Sequence, residues 1–375
     1  MISRKVALQL TTAGLIGGIA LCSFAAGAEP LGDQKRISAQ APDGDAQFDA
    51  SLASVAYNSL HHEYLVVWQG ATTTAGEFEI YGHRIDSEGR LRGLLKRISD
   101  MGPDGNPAFG AFDPAVVYNA AANEYLVTWR GDDDTGALAD DEFEVFAQRL
   151  TAAGVEIGSD TRISDMGPDG NPAYGAGAPA VAYNTTNDDY LVTWSGDDDT
   201  GALADDEFEV FAQRVSVAGA EIGVDTRVSQ MGTDGDPSRG AFDPAVAHNA
   251  AADDYLVTWR GDDDTAPLVD DEFEVFAQRL GAGGAEIGGD VRISVMGPDG
   301  NPAYGAGAPA VAYNATDREY LVTWSGDDDT APLVDDEFEV FAQRASASAT
   351  TLGGRVRVSH MGSDGGAAFS AGAPS

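Results

Sequence analysis

The chain has 375 residues, 43% of them hydrophobic, which is enough to bury a core and too many for a disordered polymer. Sixty-one Asp and Glu against 22 Lys and Arg leave a formal charge of -39. That balance excludes DNA, RNA and anionic lipid surfaces as partners and makes cations, or a cationic extracellular ligand, the natural counterpart.

Residues 1–28 read as a secretory signal peptide: Arg4 and Lys5 form a charged start, an apolar run extends from Val6 to Phe24, and Ala26-Gly27-Ala28 offers a small-residue cleavage site. An uncut membrane anchor is the alternative, weakened by Gln9, Thr11, Thr12 and several glycines inside the run. Cleavage leaves 347 residues (375 minus 28) with no membrane span and, since Cys22 is the only cysteine, no thiol. Disulfides, thiol catalysis and Cys-ligated zinc are thereby excluded from the mature chain. The expected location is secreted, cell-surface or periplasmic.

From residue 29 onward the chain repeats itself. Trp129, Trp194, Trp259 and Trp324 recur every 65 residues within Tyr-Leu-Val-Thr-Trp, followed by Gly-Asp-Asp-Asp-Thr. In the second copy the pattern predicts four short strands, near 114–119, 124–130, 143–150 and 156–164. Tyr125, Val127 and Trp129 alternate with Leu126 and Thr128, as a two-sided ribbon requires. Short links such as 119–123 and 151–154 make neighbours antiparallel. No stretch has a helical apolar period.

Four-stranded antiparallel units in series predict an all-β fold, a β-propeller of about five blades, near 39–100, 101–165, 166–230, 231–295 and 296–360, with 361–375 a partial repeat. Six blades, or an open array, is the alternative; separate sandwiches would have thin cores and a solenoid would need shorter rungs. The ends complicate the count. Arg-Ile-Ser or Arg-Val-Ser occurs six times, at Arg36, Arg97, Arg162, Arg227, Arg292 and Arg357, whereas the Trp strand occurs five times. Residues 35–38 are therefore candidates to complete the last blade, while the match of 361–375 to 296–310 is equally readable as truncation of a longer ancestor.

Each of the last four copies carries Asp-Asp-Asp, an apolar spacer, then Asp-Asp-Glu-Phe-Glu, seven acids per copy and 28 of the 61 in all. The first copy lacks this insertion, and its loop 71–76 has no carboxylate. In a meander the second-to-third and fourth-to-first links share one side of the sheet, so the acids are expected to crowd one face and repel by roughly 1 kcal/mol per adjacent pair at bulk-water dielectric. Calcium suits such a surface, because it takes six to eight oxygens in flexible geometry. The candidate ligands are Asp132, Asp134, Asp140 and Asp141, with Asp197, Asp199, Asp205 and Asp206, then Asp262, Asp264, Asp270 and Asp271, and finally Asp327, Asp329, Asp335 and Asp336. The order of residues does not match an EF-hand loop. A solvated acidic surface, or a cationic macromolecular partner, is the competing reading.

Other motifs carry little. Arg130-Gly131-Asp132 and Arg260-Gly261-Asp262 spell an adhesion tripeptide, but the third and fifth copies place Ser195 and Ser325 there. His61, His62, His83, His248 and His360 do not recur between copies and show no zinc-protease spacing. There is no Gly-x-Ser-x-Gly elbow, phosphate loop or dinucleotide fingerprint. The recurrent Tyr and Trp are expected between blades rather than as sugar platforms. Copies two and four share Phe-Asp-Pro and Trp-Arg-Gly, copies three and five share Gly-Ala-Pro and Trp-Ser-Gly, and this patchwork reads as duplication and exchange.

Val-Ala-Tyr-Asn, Glu-Tyr-Leu-Val-Val-Trp and Glu-Ile-Tyr-Gly-His-Arg, within residues 55–84, resemble a repeat of exported bacterial proteins of propeller type, and the similarity runs from about Arg36 onward. The resemblance implies a propeller and an extracellular role, and brings no catalytic residues. The sialidase-type box Ser-x-Asp-x-Gly-x-x-Trp is absent. The function expected is a secreted, non-catalytic binding or scaffold protein with an acidic, calcium-binding face, and no enzyme. The alternative is a secreted hydrolase, for example of glycans, with carboxylates converging at the propeller axis.

Overall fold

The structure is a computed structural model describing residues 35–38, 48–72, 74–133, 136–198, 201–263, 265–328, 333–334, 336–361 and 371–374. Residues 1–28, read as a signal peptide, lie outside the described residues, as do Asp134, Asp199, Asp264, Asp329 and Asp335. The fold belongs to the unit Ile37–Ser375. It is all-β, with no helix among the described residues, and consists of five four-stranded antiparallel sheets.

The first sheet comprises β1 (Ala50–Asn58), β2 (Glu63–Gly70), β3 (Glu79–Asp86) and β4 (Leu91–Arg97). The second comprises β5 (Gly110–Asn119), β6 (Glu124–Asp132), β7 (Phe143–Thr151) and β8 (Glu156–Arg162). The third holds β9 (Gly175–Asn184), β10 (Asp189–Asp197), β11 (Phe208–Ser216) and β12 (Glu221–Arg227). The fourth holds β13 (Gly240–Asn249), β14 (Asp254–Asp262), β15 (Phe273–Gly281) and β16 (Glu286–Arg292), and the fifth β17 (Gly305–Asn314), β18 (Glu319–Asp327), β19 (Glu339–Ser346) and β20 (Thr351–Arg357).

Every sheet is a plain meander, first strand to fourth. Its turns follow from their residues. Asn119 Oδ1 accepts the backbone N–H groups of Ala121 and Ala122, and Asn123 then takes a left-handed φ of 55° that Asn tolerates. The fifth sheet takes its fourth strand, β20, from its own repeat, whereas residues 35–38 form no strand. The expectation that 35–38 complete the last blade is corrected: each repeat closes its own sheet.

The two faces of a sheet bury into different neighbours. Tyr125, Val127 and Trp129 of β6 pack against Leu65, Val67, Ile80, Ile98 and Met101 of the preceding repeat or its exit. On the opposite face Leu126, Val145, Ala147 and Ile163 meet Tyr190, Val192 and Trp194 of the third sheet. The same exchange joins the third sheet to the fourth and the fourth to the fifth. Trp129, Trp194, Trp259 and Trp324 are fully buried, the interior role expected of them. The glycine two residues after Trp129, Trp194, Trp259 and Trp324 is a packing requirement: a Cβ on Gly131 would lie 2.6 Å from Met101 Sδ and 2.8 Å from the Phe146 ring.

Among the described residues no core cluster joins the fifth sheet to the first. Leu321 is 45% exposed where its equivalents Leu126 and Leu256 are buried, and Tyr64 is 40% exposed where Tyr125 is buried. Four aromatic junctions thus hold five sheets in series.

Candidate functional site

Two sets of carboxylates stand out: those of the acidic loops and a pair on the first strands. The acidic loop of the second sheet leaves β6 at Asp132 and enters β7 at Phe143, residues that face each other in register. Asp132 is 1% exposed, and its Oδ2 accepts the backbone N–H of Asp141 at 3.0 Å, bracing a left-handed residue with a φ of 67°. Asp197, Asp262 and Asp327 brace Asp206, Asp271 and Asp336 in the same way.

The neighbouring acids are tied to the turns between sheets. Asp133 Oδ1 accepts from Gly102 N at 3.0 Å, in the turn that leads into its own sheet, and Asp198 and Asp328 do the same with Gly167 and Gly297. Glu142 accepts from Ala139 N within its loop and from Gly170 N in the turn leading out; Glu207 and Glu272 repeat the pattern. Glu77 holds Gly105 in the same manner, so the first repeat keeps this brace without the long loop. Glu144 accepts from the hydroxyl of Ser164 and from Met166 N, locking the start of β7 to the end of the sheet's fourth strand. Hydrogen bonds to charged acceptors contribute roughly 1.5–3 kcal/mol each. Most of the conspicuous acids are thus structural clasps, and the loops do gather beside the fourth-to-first turns.

Of the expected cation ligands, Asp132, Asp197, Asp262 and Asp327 are buried at strand ends, while Asp140, Asp141, Asp205, Asp206, Asp270, Asp271 and Asp336 are exposed. Asp262, Asp270 and Asp271 offer oxygens within 4.8 Å of one another, as do Glu272, Glu274 and Asp299. Acidic groups that could hold a metal ion are therefore present. Both already hold an arginine: Arg239 reaches Asp262 at 3.5 Å and bonds Asp270, and Arg292 bonds Glu274 at 2.5 Å and Asp299 at 2.6 Å.

Burial sets the acidities. It pushes Asp132 and Asp197 up to about 6, against the pull of the braced N–H and with added push from the adjacent aspartates. Asp262 is raised too, but there Arg239 opposes the rise. Glu79, Glu144 and Glu209 are pushed up to about 7 by burial, opposed by their serine hydroxyls and by backbone N–H groups or arginines.

The second set was not predicted. The first strands β1, β5, β9, β13 and β17 lie beside one another in succession. Each of β5 and β13 breaks register before Ala115 and Ala245, at an aspartate, Asp113 or Asp243, with φ of 54° and 53°. Equivalent positions hold Leu52, Ala178 and Ala308. Asp113 Oδ2 lies 3.5 Å from Arg130 Nε, and Asp243 Oδ2 lies 3.5 Å from Arg260 Nε. Arg130 sits over the rings of Phe112 and Phe143 at 5.7 and 4.6 Å, and Arg260 over Phe242 and Phe273 at 5.5 and 4.7 Å. Gln69 of the first sheet accepts the Asp113 N–H at 2.9 Å. Burial raises the Asp113 pKa, Arg130 opposes, and the charge of Asp243 adds to the rise. A cavity of about 510 Å³ is bounded by Leu52 to Val55, Asp113, Pro114, Ala178 and Pro179.

The sequence held a signal for this pair. Phe-Asp-Pro always accompanies Trp-Arg-Gly, and Gly-Ala-Pro always accompanies Trp-Ser-Gly. The pairing is physical: Phe112 faces Arg130 across the ladder, and a Cβ on Gly177 would lie 2.4 Å from Ser195 Oγ.

No family model and no curated protein matches the chain. Solved structures do resemble it. An N-acetylgalactosamine deacetylase from F. plautii, in complex with blood group B trisaccharide, matches with 12% identity and a TM-score of 0.47 over 82% of this chain and 86% of that one. An α-L-arabinofuranosidase from Lactobacillus brevis matches with 11% identity and a TM-score of 0.44 over 81% and 93%. A thermostable family-43 glycoside hydrolase matches with 12% identity and a TM-score of 0.45 over 84% and 96%. Each of these is a glycan-acting enzyme by its description. The expectations of a non-catalytic scaffold and of no enzyme are corrected accordingly and give way to the alternative hydrolase, which rests below on this chain's own residues.

Proposed function

We propose that the chain is an exported glycan hydrolase, its five sheets arranged as propeller blades about an axis, with Asp113 and Asp243 as the working carboxylates. One observation carries the reading: of five equivalent first-strand positions only two bear a carboxylate, and each of those two faces an arginine on the neighbouring strand. Glycosidic cleavage needs two such groups, one protonated to donate to the leaving oxygen and one ionised to activate water or attack the sugar. Burial suits Asp113 to the first role, and Asp243 takes the second.

Arg130 and Arg260 fix the carboxylates, and the phenylalanines beneath them hold the guanidinium planes and offer an apolar floor to a sugar ring. The adjoining cavity accommodates a saccharide unit. A larger groove of about 820 Å³ between the first and second sheets supports the reading less, because its Arg97, Ser99 and Arg162 recur from repeat to repeat as parts of the clasps. Export is inferred from the leader-like residues 1–28.

The test is turnover. The purified chain, offered a panel of aryl glycosides and plant and mucin glycans, is expected to release sugar, and D113N and D243N are each expected to lower kcat/KM by about 10²–10⁴. Asparagine keeps the shape and tolerates the left-handed backbone, so the fold survives the change. A wild-type chain inactive across the panel, or an unimpaired D113N, overturns the reading.

A further inference from the structure

Most arginines of this acid-rich chain are spent on carboxylates. On the third strands Arg84, Arg149, Arg214, Arg279 and Arg344 each hydrogen-bond an acid on the strand beside them. Arg130 and Arg260, on the second strands, make no hydrogen bond among the described residues. The facing oxygen of Asp113 or Asp243 stands 3.5 Å from Nε, and each Nε is buried without a hydrogen-bond partner. The side chains as a whole are 33% and 34% exposed, so a molecule from outside can reach them.

The two guanidinium groups are nonetheless held in place, each over a pair of phenylalanine rings, 4.6 Å from the centroid of Phe143 and 4.7 Å from that of Phe273. A stacked, weakly hydrated fork whose N–H groups lack acceptors is preorganised for a planar anion, which it takes through two parallel N–H···O bonds. The equivalent positions of the other repeats carry Gln69, Ser195 and Ser325, so the fork occurs only beside a first-strand aspartate. Burial raises the Asp113 pKa against the pull of Arg130, and a protonated Asp113 leaves the Arg130 charge unbalanced. The formal charge of -39 repels an anion at long range. That field is screened beyond about 8 Å at physiological salt, whereas a partly buried contact pair is screened much less.

We propose that Arg130 and Arg260 receive carboxylates of the substrate, so that the glycan this chain takes is an acidic one, with uronic sugars at the linkage it cleaves. The placement rests on the reading of Asp113 and Asp243 as the working pair, because one arginine stands beside each and so serves the sugar on its side of the bond. A hydroxyl offers the fork only a neutral acceptor, and hydrogen bonds with charge on both partners are roughly twice as strong. The acid is therefore preferred over its uncharged ester, which has nearly the same shape. A sulfate ester presents the same charge without the planar pair of oxygens, and the experiment separates the two.

Calorimetric titration of the full chain tests it, with oligomers of galacturonic, glucuronic and mannuronic acid, the methyl ester of each, and a sulfated neutral oligosaccharide. The wild type is expected to bind at least one of the acids about tenfold or more tightly than its ester, and the sulfated sugar no better than the ester. R130Q and R260Q are each expected to lose about tenfold for that acid and to bind the ester unchanged, with melting curves confirming that both are folded. On matched aryl glycosides the preference for the uronide is expected to enter through KM. Equal binding of acid and ester by the wild type, no binding of any acid, sulfate preferred to carboxylate, or acid binding undiminished in both variants overturns the proposal. Acid-selective binding without turnover of any glycoside keeps it and removes the hydrolase; turnover with neutral glycosides preferred does the reverse.

Discussion

The acidic loops and the first-strand bulges use the same chemistry in opposite ways. In the loops of the last four repeats the carboxylates are identical, and most are buried acceptors for backbone N–H groups: Asp133 for Gly102, Glu142 for Gly170, Glu144 for Met166. At the bulges the carboxylates occur in two repeats out of five and are paired with arginine rather than with backbone, and Asp113 borders a cavity. What every repeat shares is the joint between sheets. What alternates is free of that duty and available for chemistry.

The contrast can be broken from either side. The largest effect is expected at the bulge, where D113N lowers kcat/KM by the hundredfold or more given above while leaving Tm within a degree or two. Next comes the junction between sheets: Trp194→Ala empties the space between the second and third sheets and is expected to cost about 3–5 kcal/mol in urea unfolding. An effect no larger than a surface substitution would show that the sheets do not depend on that packing. Smaller again is the clasp. Glu144→Gln leaves either Ser164 or Met166 short of an acceptor and is expected to cost about 1–3 kcal/mol with kcat/KM unchanged below the melting range.

A dependence of stability on pH is also expected. Glu79, Glu144 and Glu209 have folded pKa values of about 7 against a usual 4.5, so the folded state holds more protons than the unfolded state between these limits. Stability from these groups is therefore fully present below about pH 4.5 and is lost as pH rises through 7. The charges facing them work in both directions: Arg97 lowers and Asp100 raises Glu79, Arg162 lowers and Asp165 raises Glu144, Arg227 lowers and Asp290 raises Glu209. Melting curves are expected to give a higher Tm near pH 5 than near pH 7.5. The opposite order would mean that these glutamates are ionised and favourably held at neutral pH.

Much of the fold was legible because the strands obey simple rules. The alternation Tyr125, Val127, Trp129 announces a ribbon buried on one side, and short Asn- and Gly-containing links force the meander. The start of the first strand was harder. Gly110 to Asp113 precede a proline and contain a left-handed residue, yet they pair with Arg130 to Asp132 across a bulge. The fourth strand ends at Arg162, two residues short of expectation, because Ile163 and Ser164 turn their N–H groups to Val145 and close the clasp.

The site was less legible, since a string of aspartates does not reveal which carboxyls are buried. Asp132 and Asp140 look alike in sequence; the first is a strand-end brace and the second is open to solvent. Nor does counting acids find Asp113 and Asp243, which stand alone in their segments. Their signal was the linked exchange with Arg130 and Arg260, which reads as recombination until the side chains are seen face to face.

The most direct test of this division of labour is one assay: kcat/KM on a responsive glycoside for the wild type, D113N and E144Q, measured beside their melting temperatures. The account predicts that D113N loses at least about a hundredfold in rate and keeps its Tm, while E144Q keeps its rate and loses Tm. Equal rates in the wild type and D113N, or a rate lost with E144Q while the protein stays fully folded, would contradict it.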